Sequence, residues 1–136
     1  MTDARLIRQK RFRAAHSYRR STWSDAKNQE VFGDQTESHV HEWTLELHVV
    51  GPIDPETGFV ADLGLLDRAL EQVTAGWDGG DLNDLIPDVA SGVLMPTTEV
   101  LARWLFERIE PSISEPARLQ RVVLSESQEL GSSFPA

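Results

Sequence analysis

Between positions 39 and 51 apolar and polar side chains alternate, with Trp43, Leu45, Leu47 and Val49 set against Glu42, Thr44, Glu46 and His48. A period of two belongs to a β-strand with one buried face, so a strand is expected from about His39 to Gly51. Residues from about 5 to 16 read as an earlier strand that ends at His16. The polar stretch between them is expected to be a loop, with a short helical turn near Asp25–Val31. "GPIDPETG" then reads as a turn, because proline presets φ and glycine accepts a left-handed residue. Beyond it the period lengthens. Leu63, Leu66, Leu70 and Val73 recur at three- and four-residue spacing, which predicts a helix over about 62–76 with a core-facing stripe. "GWDGGDLNDLIPDVASG" reads as irregular. "PTTEVLARWLFERIEP" is a second helix: Pro96 and Thr97 mark its start, Glu99 suits the first turn, and Pro111 ends it. Its apolar face is Leu101, Trp104, Leu105 and Ile109. "ARLQRVVLSES" predicts a third strand, and the tail "QELGSSFPA" a short fourth. The order β-β-α-α-β-β predicts a single α+β domain over 1–136, an antiparallel sheet covered on one face by two helices.

This layout puts chemistry on one strand face. His39 and His41 are two apart, and residues i and i+2 of a strand point the same way, so both imidazoles can reach one ion. His16, from the earlier strand, can supply a third nitrogen. Three protein ligands leave one position of a tetrahedral zinc open, as catalytic zinc requires. His48 falls on the opposite face and reads as an ordinary polar strand residue.

Composition narrows the classes. A chain of 136 residues can bury roughly two-thirds of its unfolded surface. No apolar run approaches bilayer length, and the charged N-terminus lacks a signal-peptide core, so no membrane role is expected. Cysteine is absent, which removes disulfides and any thiol nucleophile, base or ligand, and makes a cytoplasmic location the default. Eight of the thirteen basic residues lie in the first 27 positions, against two of the twenty-two acids. Such an arm can attract nucleic acid, but no stacking pattern or recognised motif accompanies it and the acidic body repels phosphate; no nucleic-acid partner is expected. An exposed strand face, paired with the acidic body of a neighbouring subunit, suits it better, and an anionic substrate is a third reading. Two sheet edges and one uncovered polar face further predict a homo-oligomer in which edges pair.

Seven segments, in order, resemble the 6-pyruvoyl-tetrahydropterin synthase and 6-carboxy-tetrahydropterin synthase family over nearly the whole chain: "FRAAH", "NQEVFG", "HVHEW", "GPIDPETGFVADL", "WDGGDLND", "PTTEVLARWL" and "VVLSES". The resemblance implies the tunnelling fold, with subunits joined edge to edge into an oligomeric barrel, typically a homohexamer with active sites between subunits. It implies zinc on His16, His39 and His41. It also implies a pterin-like small-molecule substrate, anchored by Glu126 and by the segment Thr97, Thr98 and Glu99. A carboxylate accepts two hydrogen bonds from the N–H and amino groups of a pterin edge, which makes the anchor chemically apt.

Two departures bear on the reaction. Where the family has a proton-abstracting cysteine, four residues before the first histidine of the pair, this chain has Gln35, and an amide is no base near neutral pH. The family's Leu-Asp-His motif keeps Asp78 but has Gly79 in place of histidine. Val40 replaces a glycine between the ligands without touching coordination. Glu37, two residues before His39, is the leading candidate for the missing base, followed by Asp34, with Asp78 able to act alone. Three functions are compatible. The first is a zinc-dependent carbon–oxygen or carbon–carbon lyase acting on a pterin triphosphate or related substrate with altered acid–base chemistry. The second is a silent pterin- and metal-binding relative. The third is a metalloenzyme for a non-pterin metabolite.

Overall fold

The computed structural model describes residues 2–136. Four antiparallel strands stand in the order β1-β2-β3-β4: β1 Asp3–His16, β2 His39–Pro52, β3 Arg118–Ser125 and β4 Gly131–Phe134. Five α-helices connect them: α1 Asp25–Phe32, α2 Leu63–Val73, α3 Leu82–Leu85, α4 Pro87–Ala90 and α5 Thr98–Ile109. This is the expected α+β arrangement, a four-stranded antiparallel sheet with helices.

The alternation in β2 does what it predicts. Trp43, Leu45, Leu47 and Val49 are fully buried, and they pack with Leu66 and Leu70 of α2, Leu101, Leu105 and Ile109 of α5, and Val122 and Leu124 of β3. Each such side chain contributes about 1.5–3 kcal/mol by leaving water. The inward face of β1 is less apolar, since Arg8 and Lys10 occupy positions that β2 would give to leucine. Both reach α2: Arg8 forms a two-bonded pair with Asp67 at 2.7 and 2.8 Å, and Lys10 donates to Glu71 and to Thr74 Oγ1. The pairs are half exposed, so they align strand and helix more than they stabilise them. His48 lies on the uncovered face and pairs with Glu46 at 2.9 Å.

Helix ends differ from the sequence pattern where local chemistry intervenes. Asp62 caps α2 by accepting from Gly64 N–H, and the helix stops at Val73 rather than 76. There Thr74 turns its hydroxyl back onto Leu70 O at 2.6 Å, and Gly76 takes φ +78°. The expected loop before β2 contains the full two turns of α1, capped by Ser24, followed by a 3-10 turn over Gly33–Thr36. The segment expected to be irregular holds two single-turn helices instead. It carries Trp77, Leu82, Ile86 and Val89 into the core, and that burial orders it.

Candidate metal centre

Antiparallel pairing brings the histidines together. β1 ends and β2 begins at the same end of the sheet, with His16 directly opposite His39 and Ala14 opposite His41. His16 has no exposed surface. The three rings stand mutually edge to face, with centroids 4.5, 5.1 and 4.9 Å apart for His16–His39, His16–His41 and His39–His41.

Their second nitrogens decide what the rings present to one another. His16 Nδ1 lies 2.9 Å from Pro96 O, and His39 Nδ1 lies 2.8 Å from Glu37 O. A carbonyl only accepts, so this network assigns the proton to Nδ1 in both rings and leaves Nε2 as a lone pair, the arrangement that prepares a histidine to ligate. The Nε2 atoms of His16, His39 and His41 are all buried without a hydrogen-bond partner. Each such orphan costs about 1–3 kcal/mol unless something satisfies it.

A fourth group joins them. Glu126, just beyond β3 and 4 % exposed, places Oε2 2.6 Å from His41 Nε2 and 3.4 Å from His16 Nε2. The contact with His41 lacks hydrogen-bond alignment, which leaves that nitrogen among the unsatisfied ones. The donor atoms of His16, His39, His41 and Glu126 all lie within 4.8 Å of one another, a set that could hold a metal ion. Three imidazoles and a carboxylate are the donor types zinc takes. The open three-histidine site expected from the sequence thus has a carboxylate facing it.

Burial pulls His16 down to about 4, opposed by the Pro96 carbonyl and assisted by His39 and His41. Its proton is therefore bound more weakly in the folded than in the unfolded chain. The metal-free protein should lose stability as pH falls from about 6.5 to about 4, by roughly 3 kcal/mol from this residue, and level off below. Urea melts across that range check this; an unchanged slope in His16→Gln would remove His16 as the cause.

The other candidate residues are placed unequally. Thr97 caps α5 by accepting from Val100 N–H at 3.2 Å. Thr98 is buried and bonded to Glu99 and to Ser132 Oγ at 2.6 Å. The Glu99 carboxylate is held below its usual range by its own backbone N–H first, then by the Thr98 hydroxyl, against a smaller opposing effect of burial. Glu37 contributes its carbonyl to His39, while its side chain is exposed; Asp34 is exposed too. Asp78 is not among the clustered residues. Its Oδ1 accepts from Arg13 N–H at 2.9 Å, Gly79 N–H donates to Arg13 O, and Ala15 N–H donates to Gly80 O. Residues 78–80 thus cover the outer edge of β1 at Arg13–Ala15, beside the histidine cluster. Gly79 adopts φ +79°, a conformation that disfavours the family's histidine at this position.

Tyr18 was not singled out by any sequence motif. Its ring packs edge-on against His16 at 5.0 Å, and burial, then Glu126 and Glu99, push its hydroxyl up to about 12. A cleft of about 940 Å³ lies at the far end of β2 around Pro52–Leu65 and Ile113–Ala117, and contains none of the histidines.

With this geometry in view, the family model for 6-pyruvoyl tetrahydropterin synthase matches residues 5–135. The chain belongs to the 6-pyruvoyl tetrahydropterin synthase family. Among its relatives, the Drosophila melanogaster 6-pyruvoyl tetrahydrobiopterin synthase is 35% identical over 125 residues, covering 90% of this chain and 73% of that one. A dihydroneopterin monophosphate aldolase from Pyrococcus furiosus is 30% identical over 128 residues, 94% of each chain. The fold matches the structure of Caenorhabditis elegans 6-pyruvoyl tetrahydropterin synthase with a TM-score of 0.88 at 26% identity, over 98% of this chain and 96% of that one. This member of the family has no cysteine anywhere, and Gln35 gives its carbonyl to Tyr18 N–H at 2.8 Å. Among the described residues, no helix is long and apolar enough to cross a membrane.

Proposed function

We propose that this chain is a zinc-dependent lyase that cleaves the carbon–carbon bond of a dihydroneopterin phosphate side chain. The observation that carries the reading is the convergence of three orphaned imidazole nitrogens, two of them on rings oriented by backbone carbonyls, in a family member without a thiol. The Pyrococcus furiosus relative, named for aldolase chemistry and matched over nearly its full length, supports cleavage over the standard synthase reaction.

His16, His39 and His41 are the residues that would hold zinc, and Glu126 stands against them. Zinc, when bound, supplies Lewis acidity to neighbouring side-chain oxygens. The rest falls to the protein. Glu37 is the base: its carboxylate lies two residues from His39 and is exposed, whereas Asp78 is engaged at Arg13 N–H. Glu37 takes the proton from the outer side-chain hydroxyl. The adjacent carbon–carbon bond then breaks, an aldehyde departs, and the electron pair passes into the pterin ring until the carbon beside it is reprotonated. Glu126, with Thr97, Thr98 and Glu99, receives the pterin edge. The β1 edge before Arg13, beyond the stretch that residues 78–80 cover, and the uncovered polar sheet face favour assembly as a homohexamer or another homo-oligomer with sites shared between subunits.

Zinc-loaded protein incubated with dihydroneopterin monophosphate or triphosphate should release an aldehyde without eliminating triphosphate. Triphosphate elimination would restore the synthase reading. Tight pterin binding without turnover would indicate a silent relative, and no binding would indicate a non-pterin substrate. Glu37→Gln should lower turnover by about 10²–10⁴-fold with zinc content unchanged; a wild-type rate removes Glu37 from the mechanism.

A further inference from the structure

Ser132 lies outside every segment that carried the resemblance, yet its hydroxyl begins a chain of hydrogen bonds that ends on Glu99. In β4 it stands directly opposite Leu124 of β3, so its side chain shares the sheet face that Leu124 buries. There Ser132 Oγ lies 2.6 Å from Thr98 Oγ1, and Thr98 Oγ1 lies 3.0 Å from Glu99 Oε1. Thr98 is 1 % exposed, whereas Glu99 is exposed in the first turn of α5.

The donors and acceptors along this chain follow from its end. An ionised carboxylate only accepts, so the single Thr98 hydroxyl proton goes to Glu99 Oε1. Thr98 then has only lone pairs to offer Ser132, which makes the serine the donor of the 2.6 Å bond. Ser132 therefore fixes the direction of the threonine hydroxyl, and the threonine fixes one oxygen of Glu99. Both ends of the chain border the histidine cluster. Just before Thr97, the cap of α5, Pro96 O accepts from His16 Nδ1 at 2.9 Å. On the strand side, the turn in which Glu126 N–H donates to Leu130 O at 3.0 Å leads directly into β4. Ser132 thus links the hairpin that carries Glu126 to the helix start that carries Glu99.

We infer that Ser132 is a positioning residue that holds the Glu99 carboxylate ready for a pterin. With one oxygen occupied by the Thr98 hydroxyl, the remaining lone pairs serve the amino and ring N–H donors of a 2-amino-4-oxo pterin edge. An exposed glutamate has several rotamers, and one already fixed by a buried hydroxyl loses less freedom when the ligand binds. The inference rests on the pterin reading above.

Neopterin binding to zinc-loaded wild type, Ser132→Ala, Ser132→Thr, Glu99→Gln and the Ser132→Ala, Glu99→Gln double variant tests it. Ser132→Ala should weaken neopterin about tenfold, and Glu99→Gln by more. The double variant should bind no worse than Glu99→Gln alone, because both changes act on one unit. Ser132→Thr keeps the hydroxyl and should bind within about twofold of wild type. Zinc content and circular dichroism should be the same in all five proteins; loss of either in Ser132→Ala would make the role structural and overturn the inference. Losses that multiply, a Ser132→Ala variant that binds as wild type, or a Ser132→Thr variant as weak as Ser132→Ala would also overturn it, while leaving the pterin reading intact. No neopterin binding by zinc-loaded wild type would overturn both.

Discussion

Protein carrying His39→Gln is expected to lose its zinc on dialysis and its turnover with it. His39 is the most instructive ligand to remove, because it is only half buried and lies at the start of β2, where a glutamine fits without disturbing the core. Its ring is oriented by Glu37 O, and its Nε2 is one of three that lack any other partner. Changes that merely disturb the orientation of a ligand lower metal affinity about 10–100-fold, so loss of the ligand itself should exceed that range. Zinc content by elemental analysis and aldehyde release from dihydroneopterin phosphate read the two effects. Full retention of zinc would show that the cluster is not the metal site, and lost turnover with retained zinc would assign His39 to the reaction rather than to coordination.

Trp43→Ala should be the most damaging single change to the fold, at about 3–5 kcal/mol. Trp43 is completely buried, stacks on Phe12 at 6.0 Å, and donates its indole N–H to Ala14 O at 3.0 Å. Its ring also meets His16 at 4.8 Å and His41 at 5.9 Å, so it forms the floor on which the histidine cluster rests. Trp43→Phe keeps most of the apolar contact but not the indole donor, and should cost only about 1–2 kcal/mol. Chemical denaturation of the two variants gives the comparison; equal losses would show that packing volume matters little there.

Much of the centre was legible because strand geometry is local. The alternation from Trp43 to Val49 identified the buried face of β2, and the same parity carried back to His39 and His41 and placed both on it. His16 required one further step, an antiparallel partner of the right length, which β1 provided. The short helices of residues 82–90 were not legible, since Gly79, Gly80 and Pro87 obscure any period and the order comes from Trp77, Leu82, Ile86 and Val89 entering the core. Nor was the engagement of Asp78. The family resemblance of its segment suggested chemistry, while the fold gives it the Arg13 N–H at the outer edge of a strand.

By itself, then, the sequence determined the family, the element order and the common face of three histidines, because periodicity and motif spacing are properties of neighbours in the chain. Only the tertiary structure decided that Glu126 stands within 3.4 Å of two of those histidines and that the Tyr18 ring lies against two of them. Glu126 lies 85 positions beyond His41 and 110 beyond His16. What joins them is the pairing of β1, β2 and β3, together with the clamps of Asn28 on Arg20 and of Asn83 on Ser17, and no local pattern records contacts made across that distance.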